Sequence, residues 1–311
     1  MRATRPLTPE SASASGATGR TRRPRGTVAA IALALALVVT GSPLAANAAK
    51  PTSPPSGGGG GTTAELAIPK AMAAAGDSIS IATNHSLACT VFGGCASASW
   101  TTGSNTSVDS HFLRLKDYNS RLATRNAAFS GATMASLNGQ FASILAGGYR
   151  PGYVTVLIGA NDLCGTSLTD TATFRTQFQT AMTNLYVTSP GSSVLVASIP
   201  DLKRLHDLLR TNTSALSAWD RYDVCPLMLT AGIDQTPVIQ RQAEFNQVLR
   251  EVCASFVSAA TPNRCRFDGG AVFNTDFIAS DVSTVDYFHP SAAGQKKLST
   301  IAWAASFWPA R

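Results

Sequence analysis

An α/β fold, a three-layer sandwich with helices on both faces of a central parallel sheet, is what this chain predicts, on three observations. Short apolar runs at 70–75, 153–158 and 193–199 are separated by segments with helical spacing. The two later runs are rich in β-branched residues and nearly unbroken, as strands buried on both faces are. Each run stops at a turn signal: Gly76-Asp77, Gly159-Ala160-Asn161 or Pro200-Asp201. Strands alternating with helices imply parallel crossovers, and ligands then bind at the carboxyl ends of the strands.

Lys70 to Ala75 is the first strand, and Gly76-Asp77-Ser78 turns out of it. Residues 84–107, rich in Gly, Ser, Thr, Asn and Cys, read as a loop. His111 to Leu122 reads as a helix, and Leu122 to Phe129 leads into the small-residue turn Ser130-Gly131-Ala132-Thr133. Met134, Leu137, Phe141 and Leu145 stand at helical spacing. Tyr153 to Ile158 is a buried strand, Thr171 to Tyr186 a helix, and Ser193 to Ile199 another buried strand. Gln235 to Val257 reads as a long amphipathic helix and Ser291 to Phe307 as the last one.

The first 48 residues read as a secretory signal peptide rather than as structure. Arg20, Arg22, Arg23 and Arg25 precede an apolar run from Val28 to Val39, and Ala46-Asn47-Ala48 offers a small-x-small cleavage site. The run is shorter than the roughly 20 residues that a spanning helix needs. No stable membrane anchor is therefore expected after cleavage, and the protein is expected outside the cell. The leader also carries most of the basic excess: without it 19 Lys and Arg face 17 Asp and Glu. The charge thus gives no reason to expect nucleic acid as a partner. Residues 49–65, Pro-, Gly- and Ser-rich, form a linker, and 66–311 suits one catalytic domain, expected to be monomeric.

All six cysteines lie in that domain, and an even count behind a signal peptide points to disulfides. Short loops close most easily, which favours Cys89–Cys95, Cys164–Cys225 and Cys253–Cys265. There is no Cys-x-x-Cys pair and no His is read at ligand spacing from a Cys, so no metal is expected.

A hydroxyl becomes a nucleophile when a base takes its proton, a carboxylate orients the base, and fixed donors await the oxyanion. Ser78 stands just past a strand, in a turn that glycine permits. Asp286-Tyr287-Phe288-His289 places a carboxylate three residues before a histidine, close enough for Asp286 to fix the His289 tautomer. The other three histidines, His85, His111 and His206, read as structural or solvated. No histidine precedes Ser78, which excludes the His-Asp-Ser and Asp-His-Ser chain orders, and no Gly-x-Ser-x-Gly elbow occurs. Asn161 follows a buried strand and could turn its amide into a cleft, and the Gly131 N–H could serve the same oxyanion.

Together Gly76-Asp77-Ser78, Asn126-Ala127-Ala128-Phe129-Ser130-Gly131, Gly159-Ala160-Asn161-Asp162 and Asp286-Tyr287-Phe288-His289 resemble the four blocks of the SGNH, or GDSL, hydrolases. The resemblance spans roughly residues 70–298 and implies that family's flavodoxin-like fold. It also implies Ser78 as nucleophile, His289 as base and Asp286 as its partner. Ser78 N–H, Gly131 N–H and the Asn161 side chain would form the oxyanion hole. Ile158 to Cys164, Ser198 to Leu202 and Phe288 to Ser291 look like the phospholipase B-like branch. The expected activity is hydrolysis of carboxylic esters, lipid or small acyl, through an acyl-enzyme and without a cofactor. A carbohydrate acetyl-esterase is the alternative, and a non-catalytic binding module a more distant one.

Overall fold

A computed structural model describes residues 66–89 and 95–308. The signal peptide and linker expected over 1–65 lie outside those residues. Five parallel strands form one sheet: β1 (Ala71–Gly76), β2 (Ala123–Asn126), β3 (Tyr153–Leu157), β4 (Ser193–Val196) and β5 (Cys265–Phe267), in the order β2-β1-β3-β4-β5. The α-helices are α1 (His111–Lys116), α2 (Leu137–Leu145), α3 (Ala160–Cys164), α4 (Thr171–Thr188), α5 (Leu202–Leu209), α6 (Thr213–Arg221), α7 (Pro226–Leu229), α8 (Thr236–Ser255) and α9 (Ala292–Ala304).

The alternation of side chains along each strand divides the core in two. Ala73, Ala75, Val154, Val156, Val194 and Val196 face the layer that holds Phe141 of α2, Phe178 of α4 and Phe245 of α8. Met72, Tyr153, Leu157 and Leu195 face the opposite layer, with Leu115 of α1 and Leu298 and Trp303 of α9. This is the expected three-layer α/β/α sandwich. The small side chains of β1 leave room for Phe and Met from the helices, and Phe174 stacks on Phe245 with ring centroids 3.8 Å apart where α4 meets α8.

The chain leaves β1 to one side for β2 and returns to the other for β3. The strand order therefore reverses beside β1, and the loops after β1 and β3 part there to leave a crevice. Ser78 follows β1 and Asn161 follows β3.

Several boundaries differ from those expected. The helix from His111 stops at Lys116, because the chain turns back over 119–122 (Leu122 N–H to Asn119 O, 2.9 Å) to start β2. The strand from Ser193 stops at Val196, and three residues on Ile199 N–H bonds the Asn246 side chain at 2.8 Å. The segment from Met134 begins as a 3-10 turn before α2. Strand β5 and the short helices α3, α5, α6 and α7 were not anticipated. The three disulfides join Cys89 to Cys95, Cys164 to Cys225 and Cys253 to Cys265, the pairing that loop length favoured. Among the described residues no helix is long and apolar enough to cross a membrane.

Candidate active site

Gly76 sits where β1 must turn sharply against β3. A Cβ there would lie 2.3 Å from Leu157 O and 2.6 Å from Ser80 Oγ, so only glycine fits. Its peptide is held by a buried amide of α2: Gln140 Oε1 accepts from Gly76 N–H at 2.7 Å, and Gln140 Nε2 donates to Gly76 O at 2.8 Å. On the far side of the serine, Gln295 of α9 donates from Nε2 to Ile79 O at 2.9 Å and accepts from Trp100 N–H at 3.0 Å. Two carboxamides from opposite layers thus bracket Ser78. A pair of isolated glutamines carries no sequence signal, which is why the motifs did not point to them.

Asp77 is fully buried. Its Oδ1 accepts from Ile79 N–H at 3.0 Å, and Oδ2 has no partner among the described residues. Burial pushes this carboxyl up to about 7, against the lowering pull of the Ile79 N–H and of His289.

His289 Nε2 lies 2.7 Å from Ser78 Oγ, and its Nδ1 lies 2.5 Å from Asp286 Oδ2. A neutral ring protonated at Nδ1 donates to the carboxylate and leaves Nε2 to accept the serine proton. The Asp286–His289 spacing works through a tight loop rather than a helical turn. Tyr287, at φ +54°, reverses the chain, and its carbonyl accepts from Trp219 Nε1 at 3.0 Å. Ser283 closes the loop, donating its N–H to His289 O at 2.8 Å. Asp286 Oδ1 accepts from the Phe288 and His289 N–H groups, both at 3.0 Å, and Oδ2 accepts from Asn84 Nδ2 at 2.8 Å. Burial raises the Asp286 carboxyl, but the His289 hydrogen bond and charge, with Asn84 and the His289 N–H, bring it below its ordinary value.

Asn161 stands in the first turn of α3, with Gly159 at φ +119° before it, where a Cβ would lie 2.7 Å from Ile199 Cδ1. The Cys164–Cys225 bond ties the other end of α3 to α7. Asn161 Nδ2 donates to Ala132 O at 2.9 Å, which leaves the second hydrogen of the amide for another acceptor. Gly131, at φ +79°, is thereby held from one side, and Ser130 Oγ, 2.7 Å from Thr83 Oγ1, holds it from the other. Asp162 steadies the same loop, accepting from Met134 N–H at 2.8 Å. The three strand-end loops are thus joined by side chains, with Ser78, Gly131 and Asn161 each on one of them.

The remaining histidines lie elsewhere. His111 is buried under α9, His206 of α5 is 3.2 Å from Asp207 Oδ1, and His85 Nδ1 is 3.2 Å from Ala82 O. His85 does stand beside Cys89 and Cys95, contrary to the reading that no histidine neighbours a cysteine, because the turn at 85–89 brings i and i+4 together. The two sulfurs bond each other, so the group offers no thiolate to a metal.

Residues 74–297 match the model of the GDSL-like lipase/acylhydrolase family. The chain belongs to that family. No curated protein matches the chain. Among solved structures, an alpha/beta hydrolase from the metagenome of Lake Arreo shares 14% identity over 78% of this chain and 96% of its own, with a TM-score of 0.49. The extracellular lipase of Streptomyces rimosus shares 16% over 76% of this chain and 99% of its own, TM-score 0.44. Phospholipase A1 of Streptomyces albidoflavus shares 16% over the same 76% and 99%, TM-score 0.45. This GDSL-like chain carries a mostly apolar groove whose lining includes residues next in sequence to Ser78, Asn161 and His289. Ile79, Ala160 and Phe288, the chain neighbours of Ser78, Asn161 and His289, wall one end, and Leu205, Leu208 and Phe277 continue it.

Proposed function

We propose that this chain is a secreted serine hydrolase that cleaves carboxylic esters of apolar acyl chains. The observation that carries this reading is the continuous Asp286–His289–Ser78 relay, 2.5 and 2.7 Å between successive atoms. In the first step His289 Nε2 takes the Ser78 proton as Oγ bonds to the ester carbonyl carbon. The oxyanion is met by the Ser78 and Gly131 N–H groups and the Asn161 amide. The C–O bond then breaks, and the alcohol leaves with the proton from His289. Water repeats the sequence: it bonds to the acyl carbon, gives its proton to His289, and releases the carboxylic acid as Ser78 regains its hydrogen. Asp286 stays ionised throughout and stabilises the imidazolium.

The groove favours an alkyl chain over a sugar. Its polar lining groups are already engaged: Asp201 caps α5, Asp281 accepts from Lys297, and Arg204 pairs with Asp276. Sugar hydroxyls would lose their water there without replacement. The acyl half is assigned to the groove because Ile79 and Ala160 adjoin the two residues that hold the acyl carbon and its oxygen. Thr83, Ser130 and Gly131 are absent from its lining and offer a polar shelf to the alcohol.

A series of esters differing in acyl length, run beside a phospholipid and an acetylated xylan, tests this. Each methylene that enters the groove should raise kcat/KM about fourfold, the equivalent of about 0.8 kcal/mol. A series that is flat in acyl length, or governed by the alcohol, removes the acyl assignment. Preferred hydrolysis of the xylan would favour the carbohydrate reading. If an organophosphonate fails to label Ser78, the serine mechanism itself falls.

A further inference from the structure

Asn84 lies in no motif, yet it touches the relay. It sits at φ +52°, in the left-handed region that Asn and Gly tolerate. Its carbonyl accepts from the Ser283 hydroxyl, and its Nδ2 donates to Asp286 Oδ2 at 2.8 Å. The backbone and the side chain of one residue therefore grip the 283–289 loop at two points, 199 and 202 residues away in sequence. The oxygen that Asn84 holds is the one that faces His289 Nδ1.

We infer that Asn84 is a positioning residue of the relay: its amide fixes Asp286 Oδ2 toward His289 and moderates the pull of that oxygen on the imidazole proton. This rests on the ester-hydrolase reading above for its kinetic consequences but not for its geometry. The backbone N–H groups of Phe288 and His289 secure only Oδ1, so without Asn84 the other oxygen has the imidazole alone. An N–H aimed at a carboxylate lowers the negative potential that the carboxylate presents to its other partner. Removing it strengthens the attraction for the imidazolium, so His289 keeps its proton to higher pH. Asp77, the chain neighbour of Ser78, also interacts electrostatically with His289. His85, on the Asn84 loop, is turned to Ala82 O. Asp201, Arg204 and Asp281 lie along the groove beyond Phe288 and are engaged elsewhere.

Asn84→Gly separates the amide from the backbone, since glycine keeps the left-handed turn and the carbonyl that Ser283 reaches. It should lower kcat about tenfold, leave KM unchanged because Asn84 does not line the groove, and move the acid limb of kcat/KM to higher pH. Asn84→Asp, of equal size and equally able to hold the turn, puts a second carboxylate against Asp286 and should move that limb further up. Wild-type kcat and limb in Asn84→Gly overturn the inference, as does a lower kcat with an unmoved limb, which would mean a loosened loop. If the glycine variant does not fold, the direction of the Asn84→Asp limb decides. NMR titration of His289 in the substrate-free protein gives the same test without activity. Absence of esterase activity in the wild type would end the functional reading while leaving that titration to judge Asn84.

Discussion

His111 and His289 are the same side chain at the two ends of the scale of what a protein can do with imidazole. His111 is enclosed between α1, α9 and the sheet, with the rings of Trp100 and Trp303 packed edge-on 5.1 and 5.2 Å away. Its Nε2 reaches Ser299 O at 3.2 Å and its Nδ1 the Tyr153 hydroxyl at 2.8 Å, two neutral partners that fit one tautomer of the neutral ring. Burial pushes it down to about 3, and it cannot take up a proton at working pH. His289 is given a carboxylate on one nitrogen and a hydroxyl on the other. The comparison teaches that burial with neutral partners freezes an imidazole, and that what sets His289 apart is a carboxylate on one nitrogen and a hydroxyl on the other.

Breaking the His289 side of the comparison should cost most. Ser78→Ala is expected to lower kcat by roughly 10⁶ without shifting the melting temperature, as read by a burst assay and a thermal scan. A folded, active variant would remove Ser78 from the mechanism. Asn161→Ala should lower kcat by about 10²–10³ with little change in KM; a change in KM alone would make it a binding group only.

Asp77→Asn should act more weakly on the rate, by less than about tenfold. The buried carboxylate favours the imidazolium when it is ionised, so its removal should move the acid limb of kcat/KM to lower pH. Stability gives a second readout. The folded value is raised to about 7, above the unfolded value of about 3.9. The stabilisation is therefore complete below about pH 3.9 and is lost as pH rises toward 7. The variant should escape that loss, and urea midpoints that track the wild type from pH 4 to 8 would contradict it.

His111→Phe is expected to leave kcat/KM and its acid limb untouched, which sharpens the contrast with His289. Its effect is on stability. The folded value, lowered to about 3, lies beneath the unfolded value of about 6.5, so the unfolded chain takes the proton first. That stabilisation is present above about pH 6.5 and declines by about 1.4 kcal/mol per unit as pH falls below it. Between about pH 4 and 6.5 Asp77 acts in the opposite sense, so the wild type should show a shallow dependence there. His111→Phe should lose about 1–3 kcal/mol at pH 8, where the Tyr153 hydroxyl is left alone, and should grow more stable as pH falls toward 4. Urea midpoints on the disulfide-intact protein check both signs.

Sequence reading reached residues whose neighbours in the chain mark them. Ser78, Asn161 and Gly131 each follow a strand, and Asp286 and His289 share a loop, so short motifs suffice to single them out. Gln140, Gln295 and Asn84 act on the same site from 64, 216 and 202 residues away along their hydrogen bonds, and no local pattern announces them. The small helices α5 to α7 are illegible in the sequence for a related reason: their periodicity is brief and their polar faces resemble loop.

The sequence by itself determined the layered α/β architecture, because periodicity and turn residues are local and strongly constrained by burial. It also determined the family, whose blocks are contiguous. Tertiary structure decided which carboxamides bracket Ser78, which histidine is sealed neutral and which meets a carboxylate, and that an apolar groove is lined by the chain neighbours of Ser78, Asn161 and His289. Those outcomes depend on distances of a few ångströms between distant segments, and only the packing of the sheet against its helices sets them.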